Sequence, residues 1–150
     1  MEKLLQFLKS QKLLVIAAHD EKDVWMTNVY FGSDDKGALY FISPDDNRHS
    51  KMMLKNPQVA FSVAWFDSSD HKNRKGVQGL GICRPAEDEA EIIMGVKLHN
   101  ENFPEFKETI TVDWVHTNEW HSKVWMLKPS YIKYWDDEIY GDDESEEFNF

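Results

Sequence analysis

The chain has 150 residues, 41% of them apolar, and a formal net charge of −10. That is room for one domain with its own core, and the balance is wrong for a nucleic-acid binder, whose affinity rests on neutralising phosphates. No apolar run nears the ~20 residues of a membrane span, MEKLLQFLKSQ is too charged for a secretory leader, and Cys83 stands alone, so a cytoplasmic protein with no membrane partner, no disulfide and no Cys-x-x-Cys chemistry is expected.

The charge is unevenly placed. Eight of the 27 acidic residues lie between Asp136 and Glu147, where there is no Lys or Arg, so residues 1–135 carry 17 basic against 19 acidic groups. A nearly neutral body, residues 1–135, is therefore followed by an acidic tail, residues 136–150. The tail reads as a solvated terminus, with a partner-binding segment as the alternative because it carries Phe148 and Phe150.

In chain order, Glu2 to Gln11 spaces Leu4, Leu5 and Leu8 along one helical face, suited to plugging one end of a barrel. Leu13 to His19 is an apolar run of strand length. Val24 to Phe31 and Ala38 to Ser43 are β-branched and aromatic runs joined by a polar turn ending in Gly37, so three strands form a meander. In the middle strand Val24, Met26 and Tyr30 share one face, and Trp25, Val29 and Phe31 the other. A sheet with one wet face does not look like that.

Asp45 or Asp46 is placed to cap a helix over 47–55, which puts Arg48, Ser50 and Lys51 in a first turn whose free N–H groups favour an anion. The alternative is a solvated helix start whose cations answer Asp45 and Asp46. His49 is expected at the surface. Gln58 to Phe66 resumes a strand with Val59, Phe61 and Val63 on one face and the small Ala60, Ser62 and Ala64 on the other. Gly76 to Arg84 follows as a strand, and Gly76, Gly79 and Gly81 within it mark a bulge or a close approach. Its G-x-x-G-x-G order is not a dinucleotide fingerprint.

Glu87 to His99 is predicted helical, and Pro104 opens a shorter helical piece. Thr111–Val115, Lys123–Lys128 and Tyr131–Trp135 are predicted as closing strands, bringing Trp114, Trp120, Trp125 and Trp135 to a core end or an aromatic wall. Cys83 is expected as a buried structural thiol, and the spacing of His116 and His121 does not suit a metal pair. The whole is mainly β with short α-helices: a small antiparallel barrel that buries its outer surface in a second copy of itself.

The order of these features resembles the FMN-binding split-barrel superfamily of pyridoxamine-phosphate-oxidase-like proteins, in a branch of small, functionally uncharacterised members. The resemblance runs through LYFIS…NRHSKMMLKNPQVAFSV, GVQGLGICR with its following acidic helix, FPEF, and VWMLKPSYIKYWDD. It implies an antiparallel split β-barrel over 1–135 that binds FMN as a homodimer. Arg48, Ser50 and Lys51 would hold the flavin phosphate, with Ser43 bordering it. Thr27, Asn28, Val29 and Tyr30 would run along the ring and Gln78 would offer a polar contact, while the stretch carrying Trp114 and Trp125 comes across the dimer interface.

Pyridoxamine-phosphate oxidases carry an Arg before the Leu-x-Pro of the closing strand, where this chain has Met126. A substrate phosphate would lose its anchor, so the resemblance implies a flavin-dependent oxidoreductase or reductase using NAD(P)H or a small substrate rather than vitamin-B6 oxidation. The alternatives on the same barrel are a non-enzymatic flavin or haem carrier or sensor and a deazaflavin-dependent reductase.

Overall fold

The computed structural model describes residues 1–150. Strands β1 (Leu13–His19), β2 (Val24–Ser33) and β3 (Leu39–Pro44) form the expected antiparallel meander. Both turns are made by Asp side chains that substitute for a backbone acceptor. Asp20 accepts from the N–H groups of Lys22 and Asp23 at 2.8 Å each. Asp34 accepts from Lys36 and Ala38 at 2.9 Å each, and Gly37 completes that turn at φ +85°, where a side chain would be strained.

Helix α2 (Arg48–Lys55) leads into β4 (Gln58–Ala64), β5 (Lys75–Pro85) and β6 (Ser122–Asp136). The strand order is β3-β2-β1-β4-β5-β6, and β3 pairs back onto β6 to close a six-stranded antiparallel barrel. Leu14, Ile16, Phe31, Phe41, Val59, Phe61, Val63, Trp125 and Ile132 fill it, and Phe41 stacks on Trp125 at 6.2 Å between ring centroids. Helix α1 (Glu2–Ser10) closes one end through Leu4, Phe7 and Leu8, so the buried stripe uses Phe7 where Leu5 was expected. Cys83 lies inside, and burial pushes its thiol well above the ordinary range. A Cβ on Gly79 would come within 2.3 Å of the Phe61 ring, and the β5–β6 register shifts between Leu80 and Gly81. The close approach and the bulge are both present.

Helix α3 (Glu89–Asn102) crosses outside the barrel. It is capped by Asp88, which accepts from Glu91 N–H, and rests on a second small cluster of Tyr40, Val96, Val124 and Met126. Arg84 forks onto Glu91 at 2.8 and 2.9 Å, which holds that carboxyl down at about 2.

Two predicted strands take another form. Thr111–Val115 becomes the start of α4 (Val112–Thr117), because Thr111 Oγ1 accepts from Trp114 N–H at 3.1 Å and caps a helix. Lys123–Lys128 and Tyr131–Trp135 are one unbroken strand, β6. Pro129 does not interrupt it because it sits at the register shift opposite Gly81, where the ladder is already irregular.

The acidic tail is not a solvated terminus. It forms a short helix, α5 (Asp137–Tyr140), and a strand, β7 (Ser145–Asn149), which pairs with Tyr131–Trp135 and buries Phe148 in the main core. Arg74 ties it down, donating from its backbone N and from Nε to Asp137 Oδ2 at 3.0 Å each, and to Asp143 at 2.7 Å. Phe148→Ala should therefore cost about 3 kcal/mol and truncation after Asp137 at least as much. Urea unfolding midpoints measure both, and a truncated protein as stable as the full chain would show that β7 adds nothing to the core.

Candidate functional site

The start of α2 lies at the barrel rim, pinned from below by the end of β3. Ser50 Oγ donates to the Pro44 carbonyl at 2.6 Å, and His49 Nε2 meets Ser43 Oγ at 2.9 Å. The Ser43 carbonyl in turn accepts from the Trp125 indole at 3.1 Å. From the side, Asp45 N–H donates to the His121 carbonyl at 3.2 Å and the Asp45 carboxylate takes Lys123 at 2.8 Å. Asp45 is thereby drawn away from the helix start, and the Asp46 side chain does not cap it either. The N-cap is Asn47, whose side chain makes no capping bond, and the N–H groups of Arg48, His49 and Ser50 have no protein acceptor. The positive end of the helix is thus left uncompensated.

Two cations stand over this turn. The Arg48 guanidinium lies 4.2 Å from the centroid of the Trp25 ring and donates from Nη2 to Asp23 Oδ2 at 3.1 Å. Lys51 is exposed and forms no ion pair. A cation held over an aromatic ring, a second cation one turn away and an uncapped helix start form a donor set that fits a phosphate.

Of the residues singled out in the sequence, the structure gathers Ser43, Arg48, Ser50 and Lys51 here. Ser50 is fully buried and its proton is committed to Pro44, so it positions the turn rather than presenting a hydroxyl. Trp125 is likewise wholly buried and supports the site from beneath. Thr27 and Val29 lie on the same side of β2 as Trp25, opposite Ile16 and Leu14, whereas Asn28 and Tyr30 point to the outer face. Gln78 is also outward, on β5, three strands from β2 and hence about 14 Å away at ~4.8 Å per strand. Trp114 is half-buried on α4 and packs on the exposed Trp120 at 6.4 Å. Within one chain, two strands therefore stand between Gln78 and the β2 residues.

His49 is buried, not at the surface, because the β3 end that pins α2 also covers its ring. The sequence reading missed Asp23 and the role of Trp25. A hairpin turn carrying Asp next to Trp was the one available signal, and it does not say which helix lies opposite.

The outer face that carries Asn28 and Gln78 is apolar and open. Leu13, Val24, Met26, Tyr30, Leu80 and Ile82 are each at least 40% exposed. Ala60 and Ala64 are open between them, so nothing within the chain packs on the small-residue row. A groove of about 480 Å³ runs over it, lined by Met26, Ala60, Gln78, Leu80 and Tyr131.

Burial holds the His49 imidazole below its ordinary 6.5. The unfolded chain then takes up the proton first as pH falls. The stability at stake is fully present above about pH 6.5 and declines as pH drops through the lower folded value. Replacing His49 with Gln should remove that part of the acid dependence. Unfolding midpoints at about pH 7.5 and about pH 5.5 report it, and the same loss in both proteins would mean that His49 takes up its proton as readily in the folded chain as in the unfolded one.

Residues 1–117 match the family model described as pyridoxamine 5'-phosphate oxidase. A UPF0306 protein of Yersinia enterocolitica is 32% identical over 91 residues, which cover 60% of this chain and 61% of that protein, so this chain spans about three fifths of that relative. Among solved structures, a heme binding protein from Mycobacterium smegmatis has a TM-score of 0.71 at 17% identity, over 93% of this chain and 53% of that one. HutZ, the heme storage protein from Vibrio cholerae, has a TM-score of 0.65 at 19% identity, over 85% of this chain and 88% of its own. At these identities the two structures share the fold with this one, and the family follows from the match over most of the sequence: the chain belongs to the pyridoxamine 5'-phosphate oxidase family.

Proposed function

We propose that the protein binds FMN, with the phosphate at the start of α2, and works as a flavin-dependent oxidoreductase in the cytoplasm. The observation that carries this is the uncapped helix start with Arg48 on Trp25 and Lys51 beside it. FMN would supply the hydride chemistry, and the chain would supply a phosphate anchor and the β2 backbone beside it. Met126 is buried with Tyr40, Val96 and Val124 beneath α3, and the cation on the strand beside it, Arg84, is committed to Glu91 and the Pro85 carbonyl, so the Arg that a pyridoxamine-phosphate oxidase keeps there has no free substitute. This argues for a reductase that takes electrons from NAD(P)H, or for another small substrate.

The active form in this reading is a homodimer. The outer face leaves Leu13, Val24, Met26, Tyr30, Leu80 and Ile82 exposed together, and a second copy seated on it would supply Gln78 and Trp114 from the other chain. Light scattering at micromolar concentration should return twice the chain mass. A monomer would remove the shared-site arrangement.

A carrier of haem is the second reading. It is favoured by a groove of about 430 Å³ on the outer face in which His19 stands beside Ala17, Val24, Leu80 and Ile82, and by the heme proteins that share the fold. The visible spectrum of the purified protein separates a flavin from a haem, and anaerobic mixing with NADH or NADPH then separates an enzyme from a carrier.

The phosphate site has its own test. Charged hydrogen bonds are worth about 1.5–3 kcal/mol each. With both cations exposed the lower figure applies, so Arg48→Ala with Lys51→Ala should weaken FMN by about 3 kcal/mol, roughly a hundredfold. Riboflavin, which lacks the phosphate, should bind both proteins alike. Equal FMN affinity in the two proteins would remove the site.

A further inference from the structure

We infer that Asp23 is a built-in competitor for the anion site. Its carboxylate occupies the Arg48 edge that a phosphate would use, so the site admits doubly charged phosphates and turns away weaker anions. The inference rests on the flavin-phosphate reading above and says what that site selects.

The geometry is specific. Asp23 ends the β1–β2 turn, and that turn is held by other groups: Asp20 Oδ1 accepts from Lys22 and Asp23 N–H, and Asp20 N–H donates to the Asp23 carbonyl at 3.0 Å. The Asp23 side chain is therefore not needed for the turn. It reaches instead across 25 residues of sequence to Arg48 Nη2 at 3.1 Å. Trp25, two residues on, has its ring centroid 4.2 Å from the same guanidinium. The ring holds the guanidinium from one side and the carboxylate takes one of its five donors.

Both partners are about half exposed, 49% for Arg48 and 58% for Asp23, so the pair is weak and exchangeable. A dianion offering several acceptors, helped by Lys51 and the free helix N–H groups, displaces a single carboxylate. A monoanion gains too little to do so. When Asp23 leaves, Trp25 keeps Arg48 in place, and the released carboxylate swings to solvent on an intact turn.

The test uses the full chain with FMN, riboflavin and inorganic phosphate as probes, measured by calorimetry. Asp23→Asn keeps the size and removes the charge. It should tighten FMN about three- to tenfold, the scale of an exposed ion pair plus relief of repulsion, and the gain should shrink as salt is added. It should tighten inorganic phosphate as well and leave riboflavin unchanged. In an Arg48→Ala background the same substitution should give no gain.

FMN and phosphate affinities unchanged in Asp23→Asn would overturn the inference, as would a gain that persists without Arg48. If FMN binds none of the variants while phosphate binding still gains on Asp23→Asn, the competitor stands and the flavin reading falls. If neither probe binds any variant, both fall.

Discussion

Strand β6 sets the conditions for everything else in the molecule. Its fifteen residues pair with β5 along one edge and need a partner along the other, since unpaired backbone groups at a buried edge are costly. The second edge is divided. β3 takes Ser122–Leu127 and closes the barrel, and β7 takes Tyr131–Trp135. The β3 half places Ser43 and Pro44, and through them the first turn of α2. The β7 half seals the core with Phe148 on the stretch of β6 beyond Leu39, the first residue of β3.

The candidate anion site is thus an edge product of barrel closure. Its cations are ordinary and its helix is short, but the helix start is left uncapped because Asp45 is drawn to Lys123 and His121. Ser43, Ser50 and Trp125, which touch no solvent or nearly none, give the exposed Arg48 and Lys51 a rigid base. In the proposed reading this division, with buried groups that position and exposed groups that would bind, leaves a weak surface pair such as Asp23–Arg48 free to act on ligand choice without acting on the fold.

The acidic composition has a structural outlet. Much of the excess lies in α5, β7 and the loop between them, where Arg74 and Lys75 answer it: Arg74 holds Asp137 and Asp143, and Lys75 pairs with Asp136 and Glu138. The charge that reads along the chain as a solvated tail is in space part of a clamp between the start of β5 and the end of β6. No helix is long and apolar enough to cross a membrane.

The sequence by itself determined the elements whose signals are local. Alternation and turn chemistry placed β1 to β5 to within about three residues at each end. The two-faced pattern of β2 and the small row Ala60, Ser62, Ala64 announced an open apolar outer face, and the order of motifs announced the barrel. The grouping of Ser43, Arg48, Ser50 and Lys51 was also legible, because all four lie within nine residues. Only the tertiary structure decided the rest. The β-branched look of Thr111–Val115 lost to a single capping bond, and Pro129 was absorbed by a bulge that exists only once β5 and β6 are paired. Glu146 and Glu147 concealed a strand whose partner edge exists because β3 reaches along β6 only as far as the Leu39–Leu127 pair. The meeting of Asp23 and Trp25 with Arg48 depends on how a hairpin turn and a helix come together across the barrel rim. That geometry is set by closure, and no spacing along the chain encodes it.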